Sequence, residues 1–283
     1  MELTDAQQQF YRENGYLVVE GVIPPAQLNA LRAVVARFKD ASRQVSSSDG
    51  IFDVGPGHTP DAPKLRRIKD PVEQDPAFDA LMRSKVLVDI IAPLLGGTVR
   101  FDHSKLNFKP AGGKANIAWH QDWAFYPHTN DDLLAVGVML EDCTEENGPL
   151  QVIPGSHKGP IYDHHQDGVF VGGIRDADLS DDLDKAVSLT ARAGSISVHH
   201  VRTLHASSEN RSDRERPLLL FSYAAVDAFP VFHTEDLAAF DARVLRGATT
   251  LAPRATGVPM RLPLPRAPGA DSIFDNQAGI KAA

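Results

Sequence analysis

A single cysteine, Cys143, stands in 283 residues. It excludes an internal disulfide and any zinc site built from several thiolates. Such scarcity fits a reducing compartment. Long apolar runs are also missing. None approaches the roughly 20 residues of a membrane helix. The first residues, MELTDAQQQFYREN, lack the apolar stretch of a secretion signal. Positive charge is in deficit: the net charge is −8. That argues against nucleic-acid or membrane-surface binding, because both need a basic footprint. The expectation is a cytoplasmic protein with neither nucleic acid nor membrane among its partners; the sequence sets no oligomeric state. What the chain does have is 42% hydrophobic and 23% charged residues, enough to bury a sizeable core.

Local signals place helices first. Thr4 with Gln7 forms a capping box, so a helix starts at Asp5 and ends at Gly15. Tyr16 to Val22 reads as a strand. Pro24-Pro25 opens a longer helix with Leu28, Leu31, Val35 and Phe38 on one face. Residues 45–64, rich in Ser, Asp, Gly and Pro, read as a loop. Short helices follow near 75–84 and 85–95.

From Thr98 the pattern changes to short strands broken by turns. Thr98 to Lys109 alternates, with His103, Lys105, Asn107 and Lys109 on one face. Leu133 to Leu140 is apolar on both faces, as inside a sandwich. Leu150 to Ile153, Ser195 to Val201 and Arg216 to Ala225 are further strands. Residues 157–190 read as a polar insertion. The tail from Leu251 carries Pro253, Pro259, Pro263, Pro265 and Pro268, and is expected to run extended over the surface. The fold class is mainly β with flanking helices. One domain covers 1–283: a helical part at 1–97, a β core at 98–230 and an extended tail at 231–283.

The segment WHQDWAFYPHTN holds His120 and Asp122. On a strand, residues i and i+2 share a face. A carboxylate turned inward is costly unless paired or bound to metal. One more histidine would complete a two-histidine, one-carboxylate set, which leaves metal positions open and is diagnostic of non-haem Fe(II) oxygenases. His199, His200 and His205 are the candidates. His199 and His200 are adjacent, so only one of them can face inward.

Four segments carry a resemblance to the phytanoyl-CoA dioxygenase family of Fe(II)- and 2-oxoglutarate-dependent oxygenases. They are WHQD at 119–122, ENGPLQVIPGSHKGP at 146–160, the His-x-Ser-x-x-Asn-Arg-Ser run from His205 to Ser212, and Arg216. The resemblance spans roughly residues 5 to 230 and implies a double-stranded β-helix, or jelly-roll, core. It implies Fe(II) on His120, Asp122 and His205, with O2 and 2-oxoglutarate as co-substrates. It implies that Arg216 binds the far carboxylate of 2-oxoglutarate, assisted by Ser207. Arginine suits that role because its planar fork matches a carboxylate and keeps its charge. The implied activity is hydroxylation of a C–H bond in a small molecule, with release of succinate and CO2. The alternatives are a cupin-like hydrolase or isomerase with zinc or manganese in the same residues, and a binding protein with a silent site.

Other residues are candidates by position. Asn107 and Thr129 are candidate 2-oxoglutarate contacts. Gln121, Trp123, Phe125 and Lys105 are candidate substrate contacts near the metal strand, within a polar and aromatic rim that also holds Tyr126, His128, Asn130 and Asp132. Arg66, Arg67 and Lys69 form a basic cluster, with Arg67 the candidate clamp for an acidic substrate group. His157, in Pro-Gly-Ser-His, is expected in a turn.

Overall fold

The computed structural model describes residues 1–280 apart from 114, 115, 180, 181, 233, 235, 268, 269 and 271, so Pro268 of the tail pattern lies outside the described residues. The chain opens with α1 (Asp5–Asn14), β1 (Tyr16–Val19) and α2 (Pro25–Ala41). Two short strands, β2 (Phe52–Val54) and β3 (Leu65–Lys69), precede α3 (Pro71–Gln74), α4 (Pro76–Met82) and α5 (Lys85–Ile91). Then come β4 (Val99–Lys109), β5 (Ile117–His120), β6 (Leu133–Met139) and β7 (Leu150–Val152). A small hairpin, β8 (His165–Gln166) and β9 (Val169–Phe170), lies in the insertion. The strands finish with β10 (Val187–Leu189), β11 (Ile196–His200), β12 (His205–Ser207) and β13 (Arg216–Ala224). The C-terminal part holds α6 (Leu237–Asp241), β14 (Val244–Arg246) and α7 (Ile273–Gln277).

The larger sheet runs β1-β11-β6-β13-β4-β3-β2, with β14 also on β4; the smaller runs β10-β7-β12-β5. Together they make the jelly roll. Strand alternation sorts the larger sheet into two faces. Leu106, Val136, Val138, Val198, Leu219 and Phe221 point outward into the main core, which also takes Leu31, Phe78, Leu87 and Ile90 from the helices. Lys105, Asn107, Ala135, His199, Leu218 and Leu220 point the other way, into a cavity that the smaller sheet closes. This explains why β6 reads as apolar on both faces: all its residues are buried.

The capping box at Thr4 and Gln7 is present. Gly15 ends α1 at φ 76°, and a Cβ there would meet His157 Nδ1 at 2.4 Å and Thr203 Oγ1 at 2.7 Å. Both turn and packing therefore require glycine. The N-terminal part differs from the expectation in one respect. Beside the expected β1 it supplies two further strands, β2 and β3, to the larger sheet, and β2 lies inside the stretch read as a loop. The pattern was hidden because β2 buries a charge. Asp53 is 2% exposed and Arg66 meets it at 2.6 Å, an ion pair where apolar alternation would normally signal a strand.

Candidate active site

His120 and His205 are register partners across β5 and β12. Their rings lie 4.0 Å apart, centroid to centroid. β5 ends at His120; Gln121 stays extended at φ −119°, ψ 129°, and Asp122 opens a short 3-10 turn. One extended residue is enough to return Asp122 to the side of His120. One ligand atom from each of His120, Asp122 and His205 falls within 4.8 Å of the others, and all three residues are buried.

Each histidine is oriented by backbone. Nδ1 of His120 donates to Ala118 O at 2.9 Å, and Nδ1 of His205 donates to Thr203 O at 2.9 Å. The Nε2 lone pairs are thereby left for a metal. Burial holds the His120 pKa down at about 4, against the pull of Asp122. Burial and the neighbouring His120 and His199 depress His205 as well. Neutral imidazole, the ligating form, is thus favoured. For Asp122, burial raises the pKa, but Lys105 and His199 outweigh it and hold the carboxyl well below its usual range. The nearest basic nitrogen recorded for it is His199 Nε2 at 3.5 Å, and both ring nitrogens of His199 are buried without a hydrogen-bond partner. A buried carboxylate with no lysine or arginine salt bridge among the described residues, facing two imidazole lone pairs, fits a divalent metal ion.

Among the other third-ligand candidates, His199 faces inward with its ring 4.5 Å from that of His205. His200 points away, 5.3 Å from His157, whose ring contacts the Arg12 carbonyl.

The cavity has a volume of about 320 Å³. Arg216 and Ser207 both line it. Arg216 is positioned by the ENGP turn, donating from Nε to Asn147 O at 3.2 Å and from Nη2 to Gly148 O at 2.6 Å. Gly148 has φ 77°, and a Cβ there would lie 2.6 Å from Lys109 and 2.7 Å from Ser208 O. Asn210 closes the loop before Arg216 by donating to Lys109 O and Arg214 O. The separate motif segments thus build one pocket wall. Lys109, hydrogen-bonded to Ser208 O, joins it; burial, reinforced by Arg216, lowers its pKa to about 7.

The remaining candidates divide. Asn107, Lys105, Phe125 and Arg67 line the cavity. Phe125 stands edge-on to His120 at 5.7 Å and to Phe170 of the insertion at 5.1 Å. Gln121, Trp123 and Thr129 are not among the lining residues, which corrects their expected substrate and co-substrate contacts. Gln121 is fully buried. Its side chain donates to Pro160 O and Arg202 O and accepts from Tyr162 N, pinning the insertion to the ligand strand. Trp123 turns back into a cluster with Leu133, Val201 and Ala224, and its Nε1 donates to Pro259 O at 2.8 Å. Thr129 Oγ1 accepts from Phe229 N. Gln121, extended between two inward-facing residues, turns away from them, and after the turn at Asp122 the chain no longer alternates, so nearness in sequence does not decide which side chains face inward.

Several lining residues escaped the sequence reading as site residues. Ser272, Ile273, Phe274 and Asn276 come from the tail, which was expected to cover surface. Gln277 accepts from Ala118 N at 2.9 Å and donates to Gly172 O at 2.9 Å. Phe274 lies 5.3 Å from each of the guanidinium carbons of Arg66 and Arg67. No local pattern announces such contacts; the capping box at Ser272 and Asp275 marks only the short helix. His103 also lines the cavity, held by Asp102 at 2.7 Å. Tyr126, by contrast, was expected in the rim and does line the cavity; its pKa is raised by burial and by the charge of Asp122.

Comparison with known proteins follows the same lines. The phytanoyl-CoA dioxygenase (PhyH) family matches residues 11–218. A probable alpha-ketoglutarate-dependent hypophosphite dioxygenase of Stutzerimonas stutzeri is 35% identical over 278 residues, covering 97% of each chain. L-proline trans-4-hydroxylase of Streptomyces griseoviridis is 34% identical over 170 residues, 53% of this chain and 63% of its own. Among solved structures, EctD from S. alaskensis with bound Fe superposes with a TM-score of 0.69 at 22% identity, covering 93% of this chain and 89% of that one. These relatives do not favour the hydrolase or isomerase alternative. The chain belongs to the phytanoyl-CoA dioxygenase family and is an Fe(II)- and 2-oxoglutarate-dependent dioxygenase.

Proposed function

We propose that this dioxygenase hydroxylates a small molecule, with His120, Asp122 and His205 holding the iron and Arg216 holding 2-oxoglutarate. The observation that carries the reading is the convergence of three buried ligand atoms within 4.8 Å in a cavity that Arg216 also lines. When bound, iron supplies the oxygen activation and the oxidation of both substrates.

The chain's own residues position and protect. Arg216 offers its fork to the far carboxylate of 2-oxoglutarate. Ser207 adds a hydroxyl, and Lys109 adds an amine to the same wall. Phe125, Leu218 and Leu220 line the cavity with apolar surface and keep water from the reacting centre. His199 Nε2 stands 3.5 Å from the Asp122 carboxylate. Cavity volume limits the substrate: about 320 Å³ is near the lower end of ligand pockets, roughly 300–1,000 Å³, and it must hold 2-oxoglutarate as well.

Anaerobic titration tests this. Fe(II) followed by 2-oxoglutarate should give a weak visible charge-transfer band that needs both additions and is lost in Asp122→Ala. No band, with tight zinc or manganese binding instead, would overturn the assignment.

A further inference from the structure

The cavity carries far more positive charge than 2-oxoglutarate accounts for. Arg67, Lys105, Arg216 and Arg266 line it, with Lys109 beside them, and Asp122 is its sole carboxylate among the described residues; even without Lys109, whose pKa is lowered to about 7, cations are in excess. A divalent metal adds two charges; 2-oxoglutarate removes two; Asp122 offsets one. The surplus remains, and it is concentrated on two residues of the larger sheet. Lys105 and Arg67 sit on paired strands, Lys69↔Lys105 and Arg67↔Asn107 being register partners. Neither appears in a salt bridge with a described carboxylate, whereas the adjacent Arg66 is spent on Asp53 and Asp275. Arg67 is held in place rather than neutralised: its Nε donates to Asn107 Oδ1 at 2.9 Å and its guanidinium lies against Phe274. Lys105 lies 5.4 Å from the ring of Tyr126. Clustered cations cost stability through repulsion and desolvation. A binding partner of opposite charge relieves both.

We infer that the substrate is a small oxyanion, held by Lys105 and Arg67 on the side of the cavity lined by β3 and β4. The inference rests on the dioxygenase reading above and names its substrate class. The chemistry excludes two other classes known among the relatives. A zwitterionic amino acid would bring an ammonium group whose sole carboxylate partner in the cavity is Asp122, already committed to metal. Of the aromatic faces lining the cavity, Tyr126 already has Lys105 beside it and Phe274 has Arg67. A coenzyme A thioester is far larger than the cavity, and α7 stands across it. A carboxylate and a phosphorus oxyanion share the recognised chemistry: planar or tetrahedral oxygens, negative charge and no counter-cation. The reaction balances for either. Substrate X–H, O2 and 2-oxoglutarate give X–OH, succinate and CO2. One oxygen atom enters X–OH and the other succinate; two electrons leave each organic or phosphorus reactant, and dioxygen takes all four.

The experiment is an anaerobic titration of the Fe(II)–2-oxoglutarate complex with hypophosphite, acetate and L-proline, read as displacement of the charge-transfer band. Calorimetry on the zinc-loaded protein gives a second readout. At least one anion should bind, and Lys105→Met and Arg67→Leu should each weaken it by about 10-fold or more while 2-oxoglutarate affinity moves less than about 3-fold. Arg67→Lys should recover part of the loss. Hypophosphite alone would mark a phosphorus oxyanion; acetate alone would mark a carboxylate. A normal band with no anion binding sinks the inference and leaves the dioxygenase standing. The same holds if L-proline binds in place of the anions, or if both variants lose 2-oxoglutarate as severely as the anion. Absence of the band together with absence of anion heat sinks both readings.

Discussion

His120 and His205 each lean on a carbonyl two residues back, whereas Lys105 and Arg67 lean on Tyr126, Asn107 and Phe274 from elsewhere in the fold. At the histidine end, a two-strand ladder and the local backbone set every orientation. At the cationic end, long side chains are steered by tertiary contacts, some of them from the tail. The first arrangement is short-range and rigid. The second is assembled late and can be retuned one residue at a time, which suits a site that must distinguish substrates. His128 and His164 show the same Nδ1-to-carbonyl pattern without joining the ligand cluster, so the pattern orients an imidazole but does not by itself make a ligand.

The largest effect should come from the histidine end. His205→Ala should weaken iron by more than the roughly 100-fold seen at the upper limit for removal of a ligand's outer partner, measured by metal competition. His200→Ala should leave iron binding unchanged, and the reverse result would break the ligand assignment. Arg216→Ala should come next. Loss of a charge-assisted carboxylate contact costs on the order of 2–5 kcal/mol, so 2-oxoglutarate affinity should drop by roughly 30-fold or more while iron affinity holds. Gln277→Ala sharpens the contrast, since it touches the histidine end from the tail. Through Ala118, whose carbonyl fixes His120, it should weaken iron by about 10-fold or less, with folding stability nearly intact.

The smallest effect on chemistry should come from Gln121, although it sits between two ligands. Gln121→Ala strips partners from buried groups of the insertion and should cost about 1–3 kcal/mol of stability, read by denaturant unfolding, with kcat/KM per folded molecule close to normal. Acid offers another test of the framework. Burial lowers His164 to about 4 and His200 to about 3. Between the ordinary histidine pKa of about 6.5 and these values, the unfolded chain binds more protons than the folded one. Stability is therefore fully present above about pH 6.5 and is lost as pH falls below it, by up to roughly 1.4 kcal/mol per pH unit for each histidine. Unfolding curves at pH 7 and pH 5 check this; a flat profile would mean that these rings are protonated in the fold.

Legibility in the sequence followed the same division. The capping box, the alternating face of β4, the doubly apolar β6 and the ligand spacing are local facts, and the structure repeats them. The resemblance pointed to the jelly roll. Trp123 and Thr129 were candidates only by nearness in the chain to His120 and Asp122, and after the turn at Asp122 their side chains pack elsewhere. β2 was missed because it buries Asp53, which pairs with Arg66 of the neighbouring β3. The tail's part in the site was invisible because it depends on Gln277 meeting Ala118, residues separated by 159 positions.

That last contact bears on how the protein is made. Ser272, Ile273, Phe274 and Asn276 line the cavity and Gln277 clasps the strand that carries His120, yet a ribosome releases them only after every other wall of the cavity has emerged. Until they emerge, the cavity lacks the wall that α7 supplies.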